Sequence, residues 1–208
     1  MTERPDDLQA ALGVSRETLV QLQIYVDLLR KWTKRINLVA PKSLDQVWTR
    51  HILDSTQVFD LAPKNAATWV DLGSGGGFPG AVVAILAAAK APNLSVTLIE
   101  SDQRKAAFLR SVARETGVPF EVIAKRIEDQ DCLNADIVSA RALAPLDQLL
   151  GLVFRHMHKD GTALLPKGGG WRAEHASALE HWAFDCKTHQ STTDADAVIL
   201  EIGEIKRV

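Results

Sequence analysis

The stretch Asp71-Leu72-Gly73-Ser74-Gly75-Gly76-Gly77-Phe78-Pro79-Gly80 decides the fold. It continues Thr68-Trp69-Val70, β-branched and aromatic residues that suit a buried strand. It leads into the apolar run Ala81 to Ala89, which suits a helix. Five glycines stand within eight residues, whereas a tight strand-to-helix turn needs only one or two. Pro79 fits a first helical turn. The stretch reads as a strand, a loop whose backbone a ligand can touch, and a helix N-terminus.

Two ligand classes compete for such a loop. Gly75, Gly77 and Gly80 satisfy G-x-G-x-x-G, and Glu100, twenty residues past Gly80, ends the next apolar strand, where it would hold ribose hydroxyls. That pattern suits a nicotinamide-dependent oxidoreductase. The phase D-x-G-x-G-x-G, formed by Asp71, Gly73, Gly75 and Gly77, instead sets a carboxylate at the strand end. There it would repel a pyrophosphate and accept the ammonium of S-adenosylmethionine. Dehydrogenases usually open with this strand, but here about sixty residues precede it and about 130 follow, leaving little room for a second domain. The weight falls on an S-adenosylmethionine-dependent methyltransferase, with the nicotinamide enzyme as the alternative.

Outward from the loop, short apolar runs at 68–72, 95–100, 120–124, 135–139 and 161–166 alternate with helical stretches at 80–90, 103–116 and 145–158. This is the signature of a parallel α/β sheet with crossover helices on both faces. Two strands, 183–189 and 197–205, joined by Ser191-Thr192-Thr193-Asp194, predict a closing antiparallel hairpin. Upstream, Leu19, Leu22, Val26, Leu29 and Ile36 predict an amphipathic helix over 15–38 with Ser15 as N-cap. Ser43-Leu44-Asp45-Gln46 reads as a capping box that starts a second helix. The expected class is a Rossmann-like α/β fold: a helical extension at 1–64 and the methyltransferase domain at 65–208, in one continuous globular unit.

A chain of 208 residues, 46% hydrophobic and 24% charged, can bury a core of this kind. The net charge of −2 confines any nucleic-acid site to a local patch. Arg30, Lys31, Lys34, Arg35, Lys42 and Arg50 face Asp45 alone in 30–50, which makes this the candidate RNA-binding segment; the bland alternative is a solvated helix face. Trp32 and Trp48 would either stack on bases or bury their rings in a core. Cys132 and Cys186 lack metal-ligand spacing and suit a reducing cytosol, so no metal is expected. Met1 to Asp7 shows no leader pattern, and no apolar run is long enough to cross a bilayer. A cytoplasmic location, a monomer, and no membrane or DNA partner are the expectations.

Further motifs carry a family resemblance over nearly the whole chain. They are Asn37-Leu38, Arg50-His51-Ile52-Leu53-Asp54-Ser55, the glycine loop, Lys105-Ala106-Ala107-Phe108-Leu109, Arg141-Ala142-Leu143-Ala144-Pro145-Leu146 and Leu165-Pro166-Lys167-Gly168. This set resembles the bacterial ribosomal small-subunit methyltransferase G family. The resemblance implies methylation of a guanine N7 in the decoding region of 16S ribosomal RNA, with S-adenosylmethionine as donor; the sequence itself does not choose between naked RNA, a partial ribonucleoprotein particle and the complete small subunit as the partner. It implies that Gly73 and Phe78 line the methionine side of the cofactor, that Ile127-Glu128 borders the adenine, and that Arg141 sits at the cofactor edge facing the substrate. The chain departs from the family's usual residues at Ile127 and at Arg104, in both places keeping the chemical type.

Guanine N7 holds a free lone pair at neutral pH, so its methylation needs orientation rather than a general base. Arg141 and Lys167 are therefore read as orienting groups for a phosphate or for guanine O6. The alternatives are a surface ion pair for Arg141 and a solvated loop residue for Lys167, beside Gly168-Gly169-Gly170. His51 would touch RNA or hold two helices together with Asp54, and Asn37 is a C-cap or a substrate contact. A third reading of the whole chain is a non-catalytic RNA-binding assembly factor that keeps the fold as a scaffold.

Overall fold

A computed structural model describes residues 5–208; of the start read above for a leader, residues 1–4 lie outside the described residues. The helical part comprises α1 (Pro5–Leu12), α2 (Arg16–Thr33), a 3-10 turn (Pro41–Gln46), a π-helical turn (Trp48–Leu53) and α3 (Asp54–Asp60). Then come β1 (Thr68–Leu72), α4 (Gly80–Lys90), β2 (Ser95–Ile99), α5 (Gln103–Thr116) and β3 (Glu121–Ile123). They are followed by β4 (Ala135–Ser139), α6 (Leu146–His156), β5 (Met157–Lys167), α7 (Trp171–Ala178), β6 (Trp182–Gln190) and β7 (Val198–Arg207).

Seven strands form one sheet in the order β3-β2-β1-β4-β5-β7-β6. The first five run parallel, and β7 runs antiparallel between β5 and β6. The common dinucleotide-binding order, 3-2-1-4-5-6, has no such insertion, so the topology separates the two ligand classes that the glycine pattern left in competition. All parallel strands end at one edge, the edge where ligands bind in such sheets.

The sheet divides two apolar layers. One combines the helical segment with α4 and α5: Leu22, Tyr25, Val26, Leu29 and Ile52 pack in one cluster with Trp69, Val83, Leu86, Phe108 and Leu109. The other seats α6 and α7 against Val70, Leu165 and, from the closing hairpin, Leu200. No helix among the described residues is long and apolar enough to cross a membrane.

Local physics shifts several expected boundaries. The Ser15 hydroxyl does cap α2, accepting the Thr18 amide at 3.1 Å. The helix ends at Thr33 rather than Leu38, because the chain turns there and carries Leu38 and Val39 into the core; Ile36 stays on the apolar side, which prolongs the apparent period. Ser43 does not start a helix. Pro41 opens a 3-10 turn two residues earlier, and the Ser43 hydroxyl donates back to the Ala40 carbonyl at 2.7 Å. Strand β5 begins at Met157, four residues before the expected start, across an irregularity in its pairing with β4. Helices α1 and α7 were not expected.

Candidate functional site

Two cavities open at the carboxyl ends of the parallel strands. The first, of about 540 Å³, is lined by Gly73, Gly75, Glu100, Ile127 and Glu128, with Lys105, Lys125 and Arg126 at its rim. Gly73 and Gly75 take φ of 65° and 56°, the left-handed region that glycine tolerates. The Glu100 carboxylate braces the loop, accepting the Gly75 amide at 2.8 Å through one oxygen and the Asp102 amide at 2.7 Å through the other. A Cβ added at Gly75 would meet only the Gly73 carbonyl, at 3.8 Å. A side chain there would therefore enter open space, and its absence leaves a cradle in which a ligand can rest against backbone. An acidic residue at the end of β2, a glycine cradle at the end of β1 and the buried Ile127 side wall suit S-adenosylmethionine.

Asp71 and Phe78 do not line this cavity, contrary to expectation. The Asp71 side chain is fully buried; one oxygen accepts the Ser139 hydroxyl at 2.7 Å and the other the Gly80 amide at 3.2 Å. Burial pushes its pKa up to about 6, against the pull of these bonds. It faces β4 and the start of α4, so it shapes the loop from behind instead of meeting an ammonium. Phe78 is buried among the rings of Tyr25 and His51 and the Arg141 guanidinium, at 5.4, 4.7 and 4.9 Å. It supports the site through these neighbours.

The second cavity, of about 570 Å³, is lined by Arg50, His51, Asp54, Arg141, Lys167 and Glu174, and by Ser191, Thr193 and Asp194 of the hairpin turn. It shares Ala142, Leu143 and Ala144 with the first, so these three residues form the wall between them. Arg141 leaves the end of β4 toward the helical segment, where it donates to Asp54 Oδ2 at 3.4 Å, to the Arg50 carbonyl at 3.3 Å and to His51 Nδ1 at 3.0 Å. Its side chain is 20% exposed, so the pair with Asp54 is half-buried and not the surface pair weighed for it from sequence. Arg141 lines this cavity and not the first, where the cofactor edge was expected to meet it.

A guanidinium can only donate, so His51 Nδ1 must accept, and its proton sits on Nε2, 3.0 Å from the Ser43 hydroxyl. Burial, then Arg141 and Arg50, lowers the His51 pKa to about 4. The imidazole is neutral at pH 7. Its partners are Arg141 and Ser43 instead of Asp54, because Asp54 turns to Arg141 and to the Thr193 hydroxyl at 3.1 Å.

Lys167 is not a solvated loop residue. Its ammonium donates to Glu174 Oε2 at 2.7 Å and to the Ala144 carbonyl at 3.0 Å. Lys31, Lys34, Arg35 and Arg50 are exposed; of the four, Arg50 lines the second cavity. Trp32 packs 5.7 Å from Phe108, and Trp48 is buried, so both rings belong to the core. Asn37 is exposed beyond the end of α2 and caps no helix. Three residues escaped the sequence reading. Tyr25 donates its hydroxyl to the Gly76 carbonyl, and it stands beside Val26 on the face already read as apolar. Glu174 lies on the unexpected α7, whose Trp171 and Ala178 follow helical spacing. Ala142 carries a φ of 52°, which no local pattern announces.

The sheet order, the glycine cradle and the paired cavities define a class I S-adenosylmethionine-dependent methyltransferase. Solved structures agree on the fold: a methyltransferase from Geobacter sulfurreducens superposes with TM-score 0.59 at 14% identity, covering 87% of this chain and 88% of that one. A ribosomal protein L11 methylase from Lactobacillus delbrueckii gives 0.56 at 19%, covering 73% and 76%. Within that class, residues 18–202 match the family of rRNA small subunit methyltransferase G, and the chain belongs to it. The Ribosomal RNA small subunit methyltransferase G of Ruegeria sp. (strain TM1040) is 54% identical over 95% of this chain and 96% of its own length. That of Paracoccus denitrificans is 53% identical over 94% and 99%.

Proposed function

We propose that this protein methylates N7 of one guanine in the decoding region of 16S ribosomal RNA, as a monomer in the cytoplasm, using S-adenosylmethionine. The observation that carries the reading is the pair of cavities divided only by Ala142–Ala144, one fitted to the cofactor and the other opening beside cationic residues. Bound in the first cavity, the cofactor supplies an electrophilic methyl group on sulfonium. Gly73, Gly75, Glu100, Ile127 and Glu128 hold it, and Asp71 and Phe78 support the loop from behind.

The acceptor nitrogen brings its own lone pair, so no residue has to remove a proton, and the rate comes from alignment. Arg141, fixed by Asp54 and His51, orients the acceptor in the second cavity with a guanidinium that favours phosphate or the guanine O6. Neutral His51 is suited to holding that guanidinium and not to proton transfer. Lys31, Lys34, Arg35 and Arg50 draw the RNA backbone toward the opening.

The test is transfer of labelled methyl from S-adenosylmethionine to small subunits from cells lacking the protein, with the product nucleoside identified by digestion and mass spectrometry. The expected product is 7-methylguanosine in 16S RNA. A different nucleoside would refute the acceptor, while cofactor and RNA binding without transfer would favour a scaffold role.

A further inference from the structure

Glu174 joins three elements at the edge of the acceptor cavity. From α7 its Oε2 accepts the Leu146 amide at 2.9 Å and the Lys167 ammonium at 2.7 Å, and the same ammonium reaches the Ala144 carbonyl at 3.0 Å. One carboxylate thus ties both ends of the segment 144–146, directly at Leu146 and through Lys167 at Ala144. The Lys167 side chain is only 9% exposed and that of Glu174 34%, so water has little access to the ammonium end of these charge-assisted bonds.

The tied segment continues the wall between the cavities. Ala142 holds a φ of 52°, a conformation that a residue with a side chain keeps only where its surroundings enforce it. Leu143 presses on the glycine loop so closely that a Cβ at Gly73 would come within 2.6 Å of its Cδ1. A shift of this wall reshapes both cavities at once. Catalysis by alignment is sensitive to displacements of about 1 Å.

We propose that Glu174 is a positioning residue for methyl transfer: with Lys167 as its relay, it latches the Ala142–Ala144 wall at the setting that shapes the cofactor and acceptor sides together. This rests on the methyl-transfer reading above. Lys167 spends two of its three N–H donors on the latch, so its work is done on the Ala144 carbonyl. Glu174 lines the acceptor cavity and not the cofactor cavity. An effect of Glu174 on cofactor affinity would therefore travel through the wall, and a residue that only touched RNA or only stiffened the fold would leave that affinity alone.

The experiment is calorimetric titration of S-adenosylmethionine into the full chain and its variants, alongside thermal melts and the methyl-transfer assay on small subunits. Glu174→Ala should raise the cofactor Kd by about tenfold and lower kcat, because it removes one bond directly and frees another. Glu174→Gln keeps an acceptor for Leu146 and Lys167 but loses the charge, and its Kd should fall between those of the parent and the alanine variant. Lys167→Met should reproduce the alanine variant, and the double variant should be no worse than the worse single one, since both cut the same tie.

A parent-like Kd for folded Glu174→Ala, with or without a lower melting temperature, would overturn the latch. So would a Glu174→Gln as impaired as the alanine variant. Should Glu174→Ala not fold, a parent-like Kd for Lys167→Met decides against the proposal in the same way. A parent that binds the cofactor but transfers no methyl to small subunits refutes the acceptor assignment, and the Kd comparison still judges the latch. A parent that binds no S-adenosylmethionine refutes the cofactor reading and this proposal with it.

Discussion

Asp71 is buried behind the glycine loop and His51, partly buried, lines the second cavity, and their environments push them in opposite directions. Desolvation raises Asp71 to about 6, so the folded chain holds its proton more tightly than the unfolded one does. The stability this contributes is present in acid and is lost as pH rises through about 6. Desolvation and two arginines lower His51 to about 4, against an ordinary 6.5. The unfolded chain binds that proton first, so the His51 contribution is present above 6.5 and is lost as pH falls toward 4. His51→Gln removes the second dependence and leaves the first. Between pH 7.0 and 4.5 the Asp71 contribution grows and the His51 contribution shrinks, so urea unfolding midpoints at pH 7.0, 5.5 and 4.5 should rise on acidification in the variant relative to the parent. Parallel curves would mean that His51 is not held neutral. The sequence placed both residues near the site but misjudged their partners. A carboxylate at a strand end does not reveal whether it turns outward to a ligand or inward to Ser139 and Gly80, because that choice is made by long-range packing.

At the scale of elements, the strands and crossover helices were legible because each buries a continuous apolar run with a clear period; α5, for example, occupies the expected 103–116. What escaped notice was set by contacts between elements distant in sequence. Helix α7 follows three glycines and looks like loop until α6 lies beside it and Lys167 at the end of β5 bonds to its Glu174. Helix α2 was read as an amphipathic helix, yet its consequence for the site lies in Tyr25, which reaches across 51 positions to the Gly76 carbonyl. Gly77 makes room for it, since a Cβ there would approach the Tyr25 hydroxyl to 2.7 Å. The helical segment is thus part of the cofactor loop's support. Tyr25→Phe keeps the ring against Phe78 and Phe108 and removes only this buried hydrogen bond. It should cost about 1 kcal/mol of stability or somewhat more, with the Gly76 carbonyl left unpaired. Cofactor affinity should fall several-fold as the loop loosens. Chemical denaturation and calorimetric titration read the two effects, and an unchanged affinity would confine α2 to a structural role.

For the molecule as a whole, a net charge of −2 leaves RNA attraction to the distribution of charge. The exposed cations of 30–50 follow α2 and the turn after it, and that turn is seated on the glycine loop: a Cβ at Gly76 would lie 3.0 Å from the Leu38 carbonyl. The basic segment is therefore rigidly related to the cavities although most of it lines neither. Arg30 already has an acidic neighbour, Asp27, at 3.8 Å. Lys34 and Arg35 are exposed, which makes them the informative pair to reverse. If they track phosphates, Lys34→Glu with Arg35→Glu should weaken binding of a 16S RNA fragment sharply at low salt. The slope of log K against log salt should become shallower by about 0.7 to 0.9 for each phosphate that the variant no longer neutralises. Cofactor affinity and melting temperature should stay at parent values, because both side chains are exposed and neither lines either of the two cavities. Fluorescence anisotropy over a salt series measures the slope. An unchanged slope with unchanged affinity would assign this face to solvent and move the search for the RNA path to Arg50 and the acceptor-cavity rim.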